Sequence, residues 1–316
     1  MLQAPAAEGV VVVPGKTFIL GADYQRQGAD LVLTGGDGAV VVVRDFFAGD
    51  TPPDLVSEAG QLVRGELATL LAGPQAPGQY AQIGGSQAAA AIGKVEKMSG
   101  TVNVTHTNGS KSQLKAGDPV YQGDVIETGK GGSIGILFTD KTTLSLGEGA
   151  RMALDSMVFD PNAGRGSLGI SVLQGAFLLV SGEIAKVNPE GMSIKTPVAT
   201  IGIRGTSTAF VVGPEGTSSS YALARDPSGN VGQIVISNGS GTTTLSGENQ
   251  AATVSSFYVA PSNPVTLSRM EIVSQMSTAL TALPAQPALF TATGGTPPSQ
   301  AVTPPSPTGG PAQPGA

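Results

Sequence analysis

The pentapeptide GGSIG, residues 131–135, has the G-x-S-x-G spacing of a nucleophilic serine held on a tight elbow. Such an elbow places a strand before the serine and a helix after it. Here ETGKGG precedes Ser133 and the strand-like run IGILF follows it. The serine would also need a base, and the chain offers one histidine, His106, upstream in a strand-and-turn region. Ser133 therefore reads as a turn residue and not as a catalyst. Three aspartates, Asp118, Asp124 and Asp140, invite a carboxylate-pair or metal reading. Each stands beside glycine, proline or lysine at a strand end, which is the setting of a turn residue. GGDGAVVVV, residues 35–43, approaches a calcium-binding nonapeptide. It has Val40 where the aspartate belongs and no tandem copy. The reading is of a non-enzyme with no catalytic residues, no metal and no cofactor.

The elements that hold these residues are mostly strands. VVVVPGKTFIL and DLVLTGGDGAVVVVRDFF read as strands, with Asp37-Gly38 as a hairpin turn. DLVSEAGQLVRGELATLLAG is open between a short helix and a further strand pair. Residues 9–73 are expected to form a small N-terminal β-domain, and the Gly, Pro, Gln and Ala-rich residues 74–91 a linker. Residues 92–260 show short apolar runs at close spacing, broken by turn pairs such as Asn108-Gly109 and Asn238-Gly239. That pattern predicts a second, larger β-domain built mainly of antiparallel hairpins. Within it, Glu127–Leu146 should be one hairpin turning at Thr139–Thr142. Residues 264–283 predict one amphipathic helix. Ser268 and Glu271 have capping-box spacing, Leu267 and Ile272 form a hydrophobic staple, and Pro284 stops the helix. Residues 284–316 hold nine prolines and no charge, and predict a disordered Pro/Gly-rich tail.

Composition narrows the function. No cysteine means no thiol catalysis, disulfide or cysteine–zinc site. A net charge of −6 argues against a nucleic-acid partner, which needs a basic face. No apolar run reaches the roughly 18 residues of a membrane helix. MLQAPAAEGVVVVPG has no basic n-region, so export would use a route without a cleaved N-terminal signal, or else the start is misassigned.

Four blocks, GKVEKMSGTVNV, LKAGDPVYQGDVIETGKGGSIGILFTDKTTLSLGEGARMAL, LQGAFLLVSGEIAK and IKTPVATIGIRGT, occur in the order seen in the FecR domain. Residues 92–212 thus resemble that family. The resemblance implies an extracytoplasmic, non-catalytic β-domain, in a family whose best-known members relay a ligand signal to a sigma factor. Those members also carry a cytoplasmic helical region and a transmembrane helix, which this sequence does not match. YQRQGADLVLTGGDGAVVVVRDFF, residues 24–47, is similar to the prefix domain of large bacterial biofilm adhesins. KAGDPVYQGDVIETG also resembles part of the retention module of such adhesins, and SQAAAAIG reads as spacer rather than as a protease site. Together the resemblances imply a module of the cell envelope or cell surface, for display or anchoring, whose partner is a protein or an envelope component. The alternative they imply is a sensor or regulator of FecR type.

Within the FecR resemblance, TPVATIGIRGTSTAF, residues 196–210, concentrates the unusual residues. Thr196 and Pro197 would open the last core stretch, and Thr206 is a further structural or interaction candidate. Ile201 and Ile203 would point inward together by strand alternation. Gly202 and Gly205 would allow close approach or a turn. Arg204 would be a buried clamp on backbone carbonyls or on Asp118, Asp124 or Asp140, or else a ligand or peptide contact. No helix N-terminus follows, so a phosphate cradle is disfavoured.

Overall fold

The structure, a computed structural model, describes residues 2–3, 9–15, 18–74 and 90–275. The expected spacer (all but its first and last two residues), the helix beyond Gln275 and the tail at 284–316 lie outside the described residues.

Two small sheets enclose the first core. One orders its strands Leu2–Gln3, Val40–Arg44, Asp30–Thr34 and Asp23–Gln27. The other orders Val10–Val13, Asp54–Ser57 and Leu62–Val63. Alternation decides which valines enter: Val11 and Val13 are buried, Val10 and Val12 exposed. The Asp37-Gly38 turn forms, with Gly38 at φ 83° and the Ala39 N–H donating to Asp37 Oδ1 at 3.0 Å. The ambiguous stretch after Asp54 resolves into both options, two short strands and then the helix Gly65–Ala72. Asp54 Oδ1 accepts the Gly65 N–H at 2.8 Å and so satisfies one orphan donor of the first turn. A side chain at Gly65 would collide with the Pro52 carbonyl, so the helix starts where the chain can pass closest.

Residues 91–266 form a closed barrel whose ladders run in two sheets. The strand Arg165–Val180 belongs to both. Its first half pairs with Arg151–Asp160 and Met192–Lys195, its second half with Thr143–Leu146 and Ser207–Val212. Gly175, at φ 118°, sits where the partners change. Neighbours are mostly antiparallel, but Leu168–Ser171 runs parallel to Met192–Lys195, and Val10–Val13 runs parallel to Asp54–Ser57. The expected hairpin forms with its turn in place but is shorter, Ser133–Leu146: Ile134 faces Leu146, Ile136 faces Leu144, and Lys141 turns the chain at φ 68°, while Glu127 and Thr128 belong to a separate strand that pairs with Val102–Thr105 and Arg151–Ala153. One continuous apolar core fills the barrel, with Phe177 stacked on Phe210 at 5.1 Å between ring centroids.

The helix Arg269–Gln275 lies against the outside of one sheet. There Leu178, Ala209, Ala222 and Ala251 form a patch of mostly small side chains, which Ile272 and Leu267 cover. The capping box is made: the Ser268 N–H donates to Glu271 Oε2 at 2.7 Å, and the Glu271 N–H to Ser268 Oγ at 3.3 Å. The all-β class, with a small N-terminal β-unit and a terminal helix, holds, but the helix starts at Arg269 and not at residue 264, because Val265–Thr266 pairs as a strand with Gln250–Ala251.

Candidate functional site

The N-terminal unit is joined to the barrel by a seam of directed hydrogen bonds. Glu215 is the centre of one contact. It is 7% exposed, and its Oε2 accepts the N–H groups of Phe18 at 2.7 Å and Ile19 at 3.0 Å. A buried carboxylate that takes two main-chain donors is held in place by both units. Beside it, Gln61 donates to the Pro214 carbonyl at 3.4 Å and accepts the Gly216 N–H at 3.0 Å. Arg151 makes a second contact from the barrel wall. Its Nη1 donates to the carbonyls of Ala22 at 2.8 Å and Leu20 at 3.4 Å, while Nε pairs with Glu127 at 2.6 Å. Its guanidinium carbon lies 5.8 Å from the centre of the Tyr24 ring. Burial raises the Tyr24 phenol well above its usual range, so it stays a neutral donor to the Ile19 carbonyl at 2.7 Å. Main-chain contacts complete the seam: Leu62 N–H to Pro197 O at 2.7 Å, and Phe257 N–H to Gly60 O at 2.8 Å.

A cleft of about 300 Å³ opens along this seam. Arg64, Glu66, Leu67 and Leu70, from the start and middle of the helix Gly65–Ala72, form one wall. Thr107, Gln122, Gly123, Asp155, Ser171 and Lys195, from the barrel, form the other. Asp155 Oδ2 accepts the Ser171 hydroxyl at 2.7 Å and faces Lys195 Nζ at 3.9 Å. Burial pushes the Asp155 carboxyl above its ordinary range, against the opposing effects of the Ser171 hydrogen bond and the Lys195 charge.

The residues singled out in the sequence do not gather in this cleft. Ser133 opens a strand and is followed by strand, so the nucleophile-elbow geometry is absent at that position. His106 Nδ1 is bound to Asp124 Oδ1 at 2.7 Å, and no hydroxyl bonds its other ring nitrogen among the described residues. The three aspartates each accept a main-chain N–H of their own turn, and Asp124 and Asp140 also reach distant partners, His106 and Ile184. Asp118 accepts the Lys115 N–H, Asp124 the Tyr121 N–H, and Asp140 the N–H groups of Thr142 and Ile184.

The 196–206 segment has two roles. Thr196 closes the turn before the strand Thr200–Arg204, which is not the last of the core, since core residues continue to Val254; its Oγ1 donates to Ala199 O at 2.9 Å and lies 2.8 Å from the buried Tyr221 hydroxyl. Burial pushes that Tyr221 phenol up to about 12. Pro197 then presents the carbonyl that Leu62 reaches, so the turn is part of the seam. Ile201 and Ile203 lie in the barrel core, and Thr206 Oγ1 donates to Ala224 O at 2.7 Å. Gly205 turns at φ 58°, but a side chain at Gly202 would meet nothing, so close approach is not its reason.

Arg204 corrects the expectation of a buried clamp. Its side chain is 40% exposed, pairs with Glu190 at 2.6 Å and donates to Gln233 Oε1 at 2.6 Å. It touches none of the three aspartates. The alternation that buries Ile201 and Ile203 sends residue 204 to the outer face, opposite Gln233 on the next strand.

Comparison with known proteins places the barrel. Residues 124–225 match the family model described as FecR protein. The FecR region therefore contains the long shared strand, the Thr196-Pro197 turn, Arg151 and Glu215. Among solved structures, one described as a cell surface anchoring domain shares 38% identity over 20% of this chain and 83% of its own length, at a TM-score of 0.20. Two structures of a candidate anti-sigma factor from Parabacteroides distasonis ATCC 8503 align at 14% identity, with TM-scores of 0.32 and 0.33. They align over 41% of this chain, which spans about half of their length (53%). No curated protein matches the chain.

Sequence reasoning missed the seam and the cleft. Arg151 stood in plain view in GEGARMAL, a single cation at the head of an apolar strand. Glu215, in GPEGT, has every mark of a solvated turn, and only the docking of a segment 197 residues away buries it.

Proposed function

We propose that the chain is a non-enzymatic module of a bacterial cell envelope or surface protein, serving display or anchoring through protein contacts. The observation that supports this most directly is the seam. Glu215 and Arg151 tie the N-terminal unit to the FecR region through its backbone, which suits a rigid presenting head better than two independently moving domains. The resemblance of residues 24–47 to adhesin prefix domains agrees with it. Fractionation of the native bacterium tests the reading: recovery in the outer membrane or culture supernatant supports it, and recovery only in the cytoplasm overturns it.

The FecR match favours a second reading, an extracytoplasmic sensor or regulator. It predicts recovery with the inner membrane, and a change in sigma-factor-dependent transcription when the gene is deleted. The anchoring reading predicts lost surface attachment with transcription unchanged.

A further inference from the structure

We propose that the cleft between the helix Gly65–Ala72 and the barrel binds a small zwitterion, a free α-amino acid or a dipeptide. This inference does not depend on the anchoring reading. It starts from the charges on the two walls. The helix side brings Arg64 and Glu66, and the barrel side brings Lys195 and Asp155. Only the barrel pair is matched, and loosely, at 3.9 Å. Neither Arg64 nor Glu66 makes an ion pair within 4 Å among the described residues; Arg64 donates to the Thr200 hydroxyl at 3.4 Å, and the charges of both act on Asp155 across the cleft. Asp155 uses Oδ2 for Ser171 and Lys195, while its Oδ1 accepts no hydrogen bond from a described residue.

Other ligand classes fit this lining poorly. A phosphate-like dianion would gain Arg64 and Lys195 but face two carboxylates. A metal ion would gain those carboxylates but face two cations, and the described residues contain no cluster of three metal-ligating side chains. A neutral sugar would leave the charges unanswered and would find no aromatic face among the lining residues. A ligand carrying an ammonium and a carboxylate a few bonds apart answers both signs. Asp155 and Glu66 accept from the ammonium, and Arg64 and Lys195 donate to the carboxylate. The volume of about 300 Å³ is at the small end for ligand sites, which suits an amino acid or a dipeptide. Since the charges come from both walls, an occupant would also tie the helix to the barrel.

Isothermal titration calorimetry on the full chain tests this with a panel of free amino acids and dipeptides, each matched by its N-acetyl and its C-terminal amide form. The expected result is that at least one zwitterion binds, and that each blocked form binds about tenfold or more weakly, the loss of one charge-assisted contact. Glu66→Gln, at an exposed side chain, should weaken that zwitterion similarly while melting with the wild type, and Lys195→Gln should weaken it as well. If no zwitterion in the panel binds at millimolar concentration, or if the blocked forms bind equally well, the proposal is wrong. A fractionation result would leave this outcome unchanged, so the two proposals fail separately.

Discussion

Replacing Glu215 by alanine removes the one carboxylate that receives both Phe18 N–H and Ile19 N–H across the seam. Phe18 and Ile19 are buried, so water cannot replace the lost acceptor without opening the contact. A stranded buried donor costs about 1–3 kcal/mol, so two cost roughly 2–6 kcal/mol. The wild type also bears the cost of holding a carboxylate out of water, which alanine relieves, and the net loss should fall near the lower half of that range. For a cooperative unit of this size, about 2–4 kcal/mol corresponds to a fall in Tm of roughly 4–16 °C. Glu215→Gln keeps an acceptor oxygen without the charge and should recover about half of the loss. Thermal melts followed by near-ultraviolet and far-ultraviolet circular dichroism measure this, and limited proteolysis should show cleavage in the N-terminal unit first. A Glu215→Ala protein that melts with the wild type and resists protease equally would refute the idea that this carboxylate joins the two units.

Arg151→Lys should destabilise by about 1–3 kcal/mol in urea titrations, because an ammonium cannot hold Ala22 O and Glu127 from the same planar group. Arg204→Ala should change stability by no more than about 0.5–1 kcal/mol in the same assay, since its ion pair with Glu190 is solvent-screened. Asp155→Asn should flatten the dependence of stability on acid pH. The folded carboxyl binds its proton more tightly than the unfolded one, so the wild type gains stability below the ordinary carboxylate pKa. It loses that gain as pH rises through the raised folded value, and in urea titrations across this window the difference in stability between wild type and variant should show that slope. Ser268→Ala should cost about 0.5–2 kcal/mol of local stability, read as faster amide exchange in the helix Arg269–Gln275.

Local physics alone determined much of this protein. Period-two alternation in Val10–Val13, Asp30–Thr34 and Thr200–Arg204 sets which side chains are buried, and that pattern needs no knowledge of partners. The Asp37-Gly38 turn follows from the backbone freedom of glycine, the Thr139–Thr142 turn from the Asp140 carboxylate that accepts the Thr142 N–H, and the Ser268–Glu271 box from a spacing of three. Tertiary structure decided what is far apart in sequence. Arg204 and Glu215 both stand beside glycine in β-rich segments, yet one faces solvent on a barrel wall and the other is buried. Only the docking of Phe18 and Ile19 makes that difference. The cleft depends in the same way on a helix at 65–72 meeting strands at 155, 171 and 195. Alternation reports which face of a strand is covered. It carries no information about which distant segment covers it, because that choice depends on shape and hydrogen-bond complementarity between surfaces that exist only after each unit has formed.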